Sequence, residues 1–181
     1  MSLQPATYPR DLTEKLELKV SDLLRRRLIP LVSDTPAALR ISFLLDIQQL
    51  RNLERVQLKT IDPEGIRVVL ASDSGVEAAL DFYYGGDDVR FTHSLAGPHL
   101  QEFTAALNAL EQAYHTRKTG YQAACIDFHY ASHPYLVAFS NRSAHWYNYF
   151  KGDLLRLKPA DFKKQLRHLA KSQARPLKQL K

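Results

Sequence analysis

Between Gly97 and Gly120 the chain carries one amphipathic helix, "GPHLQEFTAALNALEQAY", with strand-like segments on both sides of it. Leu100, Phe103, Leu107, Leu110 and Tyr114 recur at 3-4-3-4 spacing, so one apolar stripe runs its length. Such a stripe has to be covered, and the flanking segments are the nearest apolar surface to cover it. Pro98 suits the first helical position, where an N–H would have no partner in any event. His115, Arg117 and Lys118 suit the negative end of the helix dipole, and Gly120 suits a left-handed C-cap.

The segments before this helix read as five strands joined by short turns: "LRISFLLDI", "ERVQLKTID", "IRVVLAS", "VEAALDFYY" and "VRFTH". In the second, Val56, Leu58 and Thr60 alternate with Arg55, Gln57 and Lys59. In the fourth, Val76, Ala78, Leu80, Phe82 and Tyr84 share a face opposite Glu77 and Asp81. "DPEG", "SDSG" and "GGDD" supply the turns. After the helix come "YQAACIDFHY", "YLVAFSN" and "AHWYNYFK". Asp11 and Glu14 form a capping-box pattern ahead of an N-terminal helix that Pro30 ends, and a last helix follows Lys158-Pro159. The expected fold is α+β: antiparallel sheet in two meanders of about five plus three strands, a central amphipathic helix, and helices at both ends. Two β-then-α halves suggest a pseudo-twofold arrangement.

A chain of 181 residues fits one domain and needs neither disulfide nor metal to fold. With 45% hydrophobic and 24% charged residues it lies far from the disordered class. One cysteine, Cys125, forms no internal bridge, which favours a reducing compartment. No apolar run approaches the ~20 residues of a membrane helix, and "MSLQPATYPRDL" lacks the apolar core of a signal peptide. These features point to a cytoplasmic protein without a membrane span. No cofactor motif is present.

The net charge of +6 is unevenly spread. Residues 156–181 hold nine Lys or Arg and one acid, Asp161, for +8; the other 155 residues are close to neutral at −2. The chain therefore divides into an α+β body over 1–155 and a basic helix and tail over 156–181. On a helical wheel Phe162, Leu166, Leu169 and Ala170 occupy one arc, with Lys163, Lys164, Arg167, Lys171 and Arg175 opposite. The apolar arc can dock on the body and leave five cations facing outward. Acids for i,i+4 pairing are missing, unlike an ordinary solvated helix face. Cations in successive turns suit a run of phosphates.

The stretch "AHWYNYFKGD" is the other candidate surface. As a strand it places Trp146 and Phe150 on a core face and Tyr147 and Tyr149 on the outer one, where rings can stack on bases. Packing alone accounts for strand tyrosines, and without the glycine and aromatic signature of an RNA-recognition motif that reading leads. Cys125, Asp127 and His129 alternate as a nucleophile, base and orienter would, but parallel side chains about 6–7 Å apart do not converge. His129 and His133 lack helical ligand spacing, and Pro134 precludes it, so no zinc motif is read. Asp87 and Asp88 suit a solvent-facing turn. Arg25, Arg26 and Arg27 fan around a helix, with Glu77 or Asp81 as prospective partners.

The leading expectation is a non-enzymatic binding protein whose basic C-terminal helix contacts a polyanion, nucleic acid ahead of an acidic protein surface. Its site residues are Lys163, Lys164, Arg167, Lys171 and Arg175, with Tyr147 and Tyr149 as a stacking surface. The alternative is a protein-interaction module, with homodimerisation through the Leu100–Tyr114 stripe as one form. An enzyme with a pocket gathering Asp127, His129 and His145 is the third. No catalytic or metal-binding residue is assigned.

Overall fold

The computed structural model describes Leu3 and residues 10–29, 38–46, 65–72, 75–85, 88–116, 120–127, 133–140 and 143–173. In chain order the elements are α1 (Arg10–Arg25), β1 (Ala38–Asp46), β2 (Gly65–Ser72), β3 (Gly75–Gly85), β4 (Asp88–Leu95), α2 (Gly97–Tyr114), β5 (Gln122–Asp127), β6 (Tyr135–Phe139), β7 (Ala144–Phe150), β8 (Asp153–Leu157) and α3 (Pro159–Gln173). The fold is the α+β arrangement expected. The described strands divide four and four, however, in place of five and three.

Two differences produce that division. The expected strand "ERVQLKTID" lies outside the described residues. At the other end, Asp153–Leu157 is a strand additional to the three expected there. Lys151 (φ 51°) and Gly152 (φ 91°) both take positive φ, the conformation of a tight two-residue hairpin turn, and Phe150 pairs with Asp153 across it. The sheet thus runs to Leu157, two residues beyond the 1–155 body.

All eight strands form one sheet in the order β4-β3-β2-β1-β5-β6-β7-β8. Each half is an antiparallel meander, and the halves meet where β1 runs parallel to β5, Phe43 opposite Ala124 and Asp46 opposite Asp127. A parallel pair needs a long crossover, and the span that holds β2 to β4 and α2 provides it. The strand order is symmetric about this seam, and α2 and α3 lie on opposite faces.

Alternation within the strands assigns residues to the two faces. Val69, Ala79, Cys125, Leu136, Ala138 and Tyr147 pack with Leu100, Phe103, Ala106, Leu107, Leu110 and Tyr114 of α2. The other face of the first meander presents Ile66, Val68, Leu70, Ala78, Leu80 and Phe82 to Leu16, Val20 and Leu23 of α1. The α2 stripe is therefore consumed inside the molecule. At roughly 25 cal/mol per Å² of apolar surface removed from water, such burial is the main force holding the layers together.

The helix ends differ from expectation. α2 stops at Tyr114, with His115 (φ −56°) as its C-cap, so Gly120 does not perform that role. α1 begins at Arg10, which places Asp11 inside the first turn, and Glu14 accepts a 2.8 Å hydrogen bond from Arg10 Nε. The helix gives way at Arg25, short of Pro30, with Arg27 at φ 51°. Arg25 and Arg26 both bond to Asp22 one turn back, and neither reaches Asp81. The Arg25 hydrogen bond is the main reason Asp22's carboxyl sits below its usual range.

Candidate functional site

The second meander supports α3 through three aromatic residues. Trp146 on β7 and Tyr135 on β6 lie on the face opposite α2. Phe162, in the first turn of α3 and only 2% exposed, stacks on Trp146 with centroids 4.3 Å apart and planes at 28°. It also meets the Tyr135 ring at 6.0 Å and 69°. Burial pushes the Tyr135 hydroxyl's pKa up. Asn148 Oδ1 and Gln165 Oε1 are buried without a hydrogen-bond partner among the described residues. Phe162 is the aromatic anchor of the β7–α3 contact.

With Phe162 facing the sheet, 100° per residue turns Lys163, Lys164 and Arg167 to the outside, and all three are exposed. Among the described residues, Lys163 and Lys164 meet no carboxylate. Arg156 and Lys158, just before the helix, are exposed as well. Asp161 lies off the cationic arc, on the other flank of Phe162. Lys171 continues the helix, but its side chain, like Arg175 entirely, lies outside the described residues.

The tyrosine face requires a correction. His145, Tyr147 and Tyr149 point toward α2, not to the exterior. Tyr147 is 5% exposed, and its hydroxyl lies 2.9 Å from that of Tyr114. The Tyr114 hydroxyl is also 2.5 Å from His145 Nδ1, and the Tyr114 ring meets the Tyr121 ring edge-on. Tyr149 is half-buried against the same core. A base has no access to Tyr147 in this conformation. Sequence alternation separated the two faces of β7 correctly but could not show that both are covered. Phe150, expected on the core side, is exposed instead, edge-on to His133 and beneath Lys151 Nζ at 5.3 Å.

A buried charged cluster went unforeseen. Asp81 is wholly buried and accepts two hydrogen bonds from Arg67, Nε to Oδ1 and Nη2 to Oδ2, each 2.6 Å. His93 Nε2 lies 2.9 Å from Oδ2, and Thr92 Oγ1 donates to the Asp81 carbonyl. The Phe103 ring covers the Arg67 guanidinium at 4.8 Å. Burial pushes the Asp81 carboxyl up, but the charge and hydrogen bonds of Arg67, with help from His93, outweigh it and hold the pKa below the ordinary value. A signal was present in the sequence: Arg67 is the one charge in β2, and the hairpin register sets it opposite Asp81 of β3.

The remaining candidates do not assemble into a reactive centre among the described residues. Cys125 is buried in the α2-facing core, while the Asp127 side chain and His129 lie outside the described residues. No group of His, Cys, Asp and Glu that could hold a metal ion occurs among the described residues. Asp88 is exposed and pairs with Arg90; Asp87 is not described. No described helix is long and apolar enough to cross a membrane. Comparison with protein-family models, curated proteins and solved structures finds no match to this chain.

Proposed function

We propose that this is a non-enzymatic binding protein that engages a polyanion, nucleic acid foremost, through the outer face of α3. The observation that supports the reading is the way α3 is held: Phe162 is locked onto Trp146 while Lys163, Lys164 and Arg167 face outward. Cations on an anchored helix meet a ligand with less conformational entropy to lose than cations on a free tail. Tyr147 is not part of the surface, and the aromatic contribution first expected of it is withdrawn.

Anisotropy titration of labelled oligonucleotides against the full chain tests this. If the three cations displace counterions from about three phosphates, affinity falls by about 40-fold between about 50 and 200 mM salt. The K163E/K164E double variant weakens binding by at least about 10-fold and flattens that dependence. Binding that is absent at low salt, or indifferent to K163E/K164E, removes the reading.

A second reading, a protein-interaction module, is favoured by one feature. Among the described strands β8 lies at one end of the sheet, and it exposes Leu155 beside the exposed Phe150. An open edge is a template for strand addition. Light scattering that shows a dimer dissociated by Leu155→Lys would favour it.

A further inference from the structure

We infer that the outer edge of β8 takes an acidic peptide, in extended conformation, as an added strand; this deepens the protein-interaction reading, rests on it, and is independent of the polyanion reading of α3. The two ends of the described sheet differ. At β4 the register breaks: Asp81 lies opposite His93 and Phe82 opposite Phe91, so Thr92 has no counterpart, and Asp88 is paired with Arg90. A bulge of this kind spoils an edge for further pairing. At the other end, β8 runs in unbroken register with β7 from Asp153 to Leu157. Among the described residues β7 is its one strand partner, so its outward N–H and C=O groups are open to a further strand.

The side chains of β8 select the kind of strand. Cross-strand neighbours share a face, so Leu155, opposite Asn148, lies on the α3 side and Arg156, opposite Tyr147, on the α2 side. Leu155 is 45% exposed. Arg156 and Lys158 are exposed and meet no carboxylate among the described residues. Asp153, beside the turn, is the one acid between Lys151 and Lys158. An added strand that sets an acid against Arg156 presents its next side chain to Leu155, so alternating acidic and apolar residues suit both faces. A nucleic acid supplies the charge but has no row of N–H and C=O groups to continue the ladder. A second β8 supplies the row but not the charge. In the antiparallel register centred on Leu155, each Arg156 lies diagonal to its copy, like charge against like. The cation that discourages self-pairing thus favours an acidic partner.

The probe is a fluorescein-labelled peptide of about nine residues, alternating Glu and Val, titrated against the full chain by anisotropy. The expected result is binding at least about 10-fold tighter than that of the Lys/Val counterpart. Arg156→Glu weakens it at least about 10-fold with Trp146 emission unchanged, while K163E/K164E shifts it by less than about 3-fold. Successive N–H groups of a strand point to opposite sides, so methylating only the Glu or only the Val nitrogens blocks one edge of the peptide. One methylated peptide should lose at least about 10-fold and the other stay within about 3-fold. Equal binding by both, or no binding of the parent peptide, overturns the inference and leaves the α3 reading standing. If no peptide binds and Arg156→Glu weakens an oligonucleotide, that cation belongs to the polyanion surface instead. A dimer in light scattering that Leu155→Lys dissociates and the peptide does not displace makes a second copy the occupant; that overturns the acidic partner and keeps the interaction reading.

Discussion

The two meanders share an architecture and differ in what holds them. The first is built of long strands, eight residues in β2 and eleven in β3, and hides a charged pair, Arg67–Asp81, under α2. The second has strands of five to seven residues and is joined to α2 by the Tyr114 hydroxyl, which meets the Tyr147 hydroxyl and His145 Nδ1, and by the Tyr121 ring edge-on to Tyr114. Two antiparallel ribbons of similar topology can thus be cemented by opposite chemistries. The contrast has an energetic consequence. A buried ion pair loses most when one partner is removed, because the survivor is left charged and dry. A neutral hydroxyl loses only its own hydrogen bonds.

Removing Asp81 should have the largest effect. Asp81→Ala leaves the Arg67 guanidinium buried and unpaired, and urea unfolding should show a loss of about 3–5 kcal/mol. The Arg67→Met, Asp81→Leu double variant should lose less than either single change, since it removes both charges together. A double variant as unstable as Asp81→Ala would mean that packing, and not the orphaned charge, sets the cost. The pair also has a pH signature. Because the folded Asp81 pKa lies below that of an ordinary aspartate, its contribution is complete above the unfolded-state value. It declines as pH falls toward the lower folded value. The double variant should lack that part of the acid transition.

Next in size is the support under α3. Phe162→Ala removes a ring buried between Trp146 and the rest of α3 and should cost about 3 kcal/mol, the lower end for a buried Phe→Ala change. Trp146 emission should move to longer wavelength as water reaches the indole. If emission is unchanged, Phe162 is not what shields the tryptophan, and the anchoring role assigned to it fails.

The smallest effect belongs to the hydroxyl network. Tyr114→Phe keeps the ring among its neighbours and deletes one oxygen, for about 1 kcal/mol by thermal or urea unfolding. A loss as large as that of Asp81→Ala would erase the contrast between the halves.

How legible these features were in the sequence follows from their range. The α2 stripe was readable because helical spacing is local and Leu100 to Tyr114 repeat without interruption. β8 was missed because "DLLRL" is short and follows a turn whose residues, Lys151 and Gly152, include a lysine in a conformation that favours glycine or asparagine. Asp81 was placed on the correct side of its strand, opposite Leu80 and Phe82. Nothing local said that this side would be sealed, because the seal is Phe103 on α2 and the counter-charge is Arg67 on a neighbouring strand.

The amino-acid order alone specified the α+β class, the positions of the helices, the alternation within β7 and the concentration of positive charge after Leu155. All of these depend on backbone periodicity or on composition, which act over a few residues. Folding in three dimensions decided that the two ribbons fuse at a parallel β1/β5 seam, that Trp146 and Tyr147 are buried on opposite faces of β7, and that α3 turns Lys163, Lys164 and Arg167 outward. Those outcomes depend on which surface meets which across distances of many residues along the chain, where pairing is chosen by the burial and hydrogen bonding of whole elements and not by local preference.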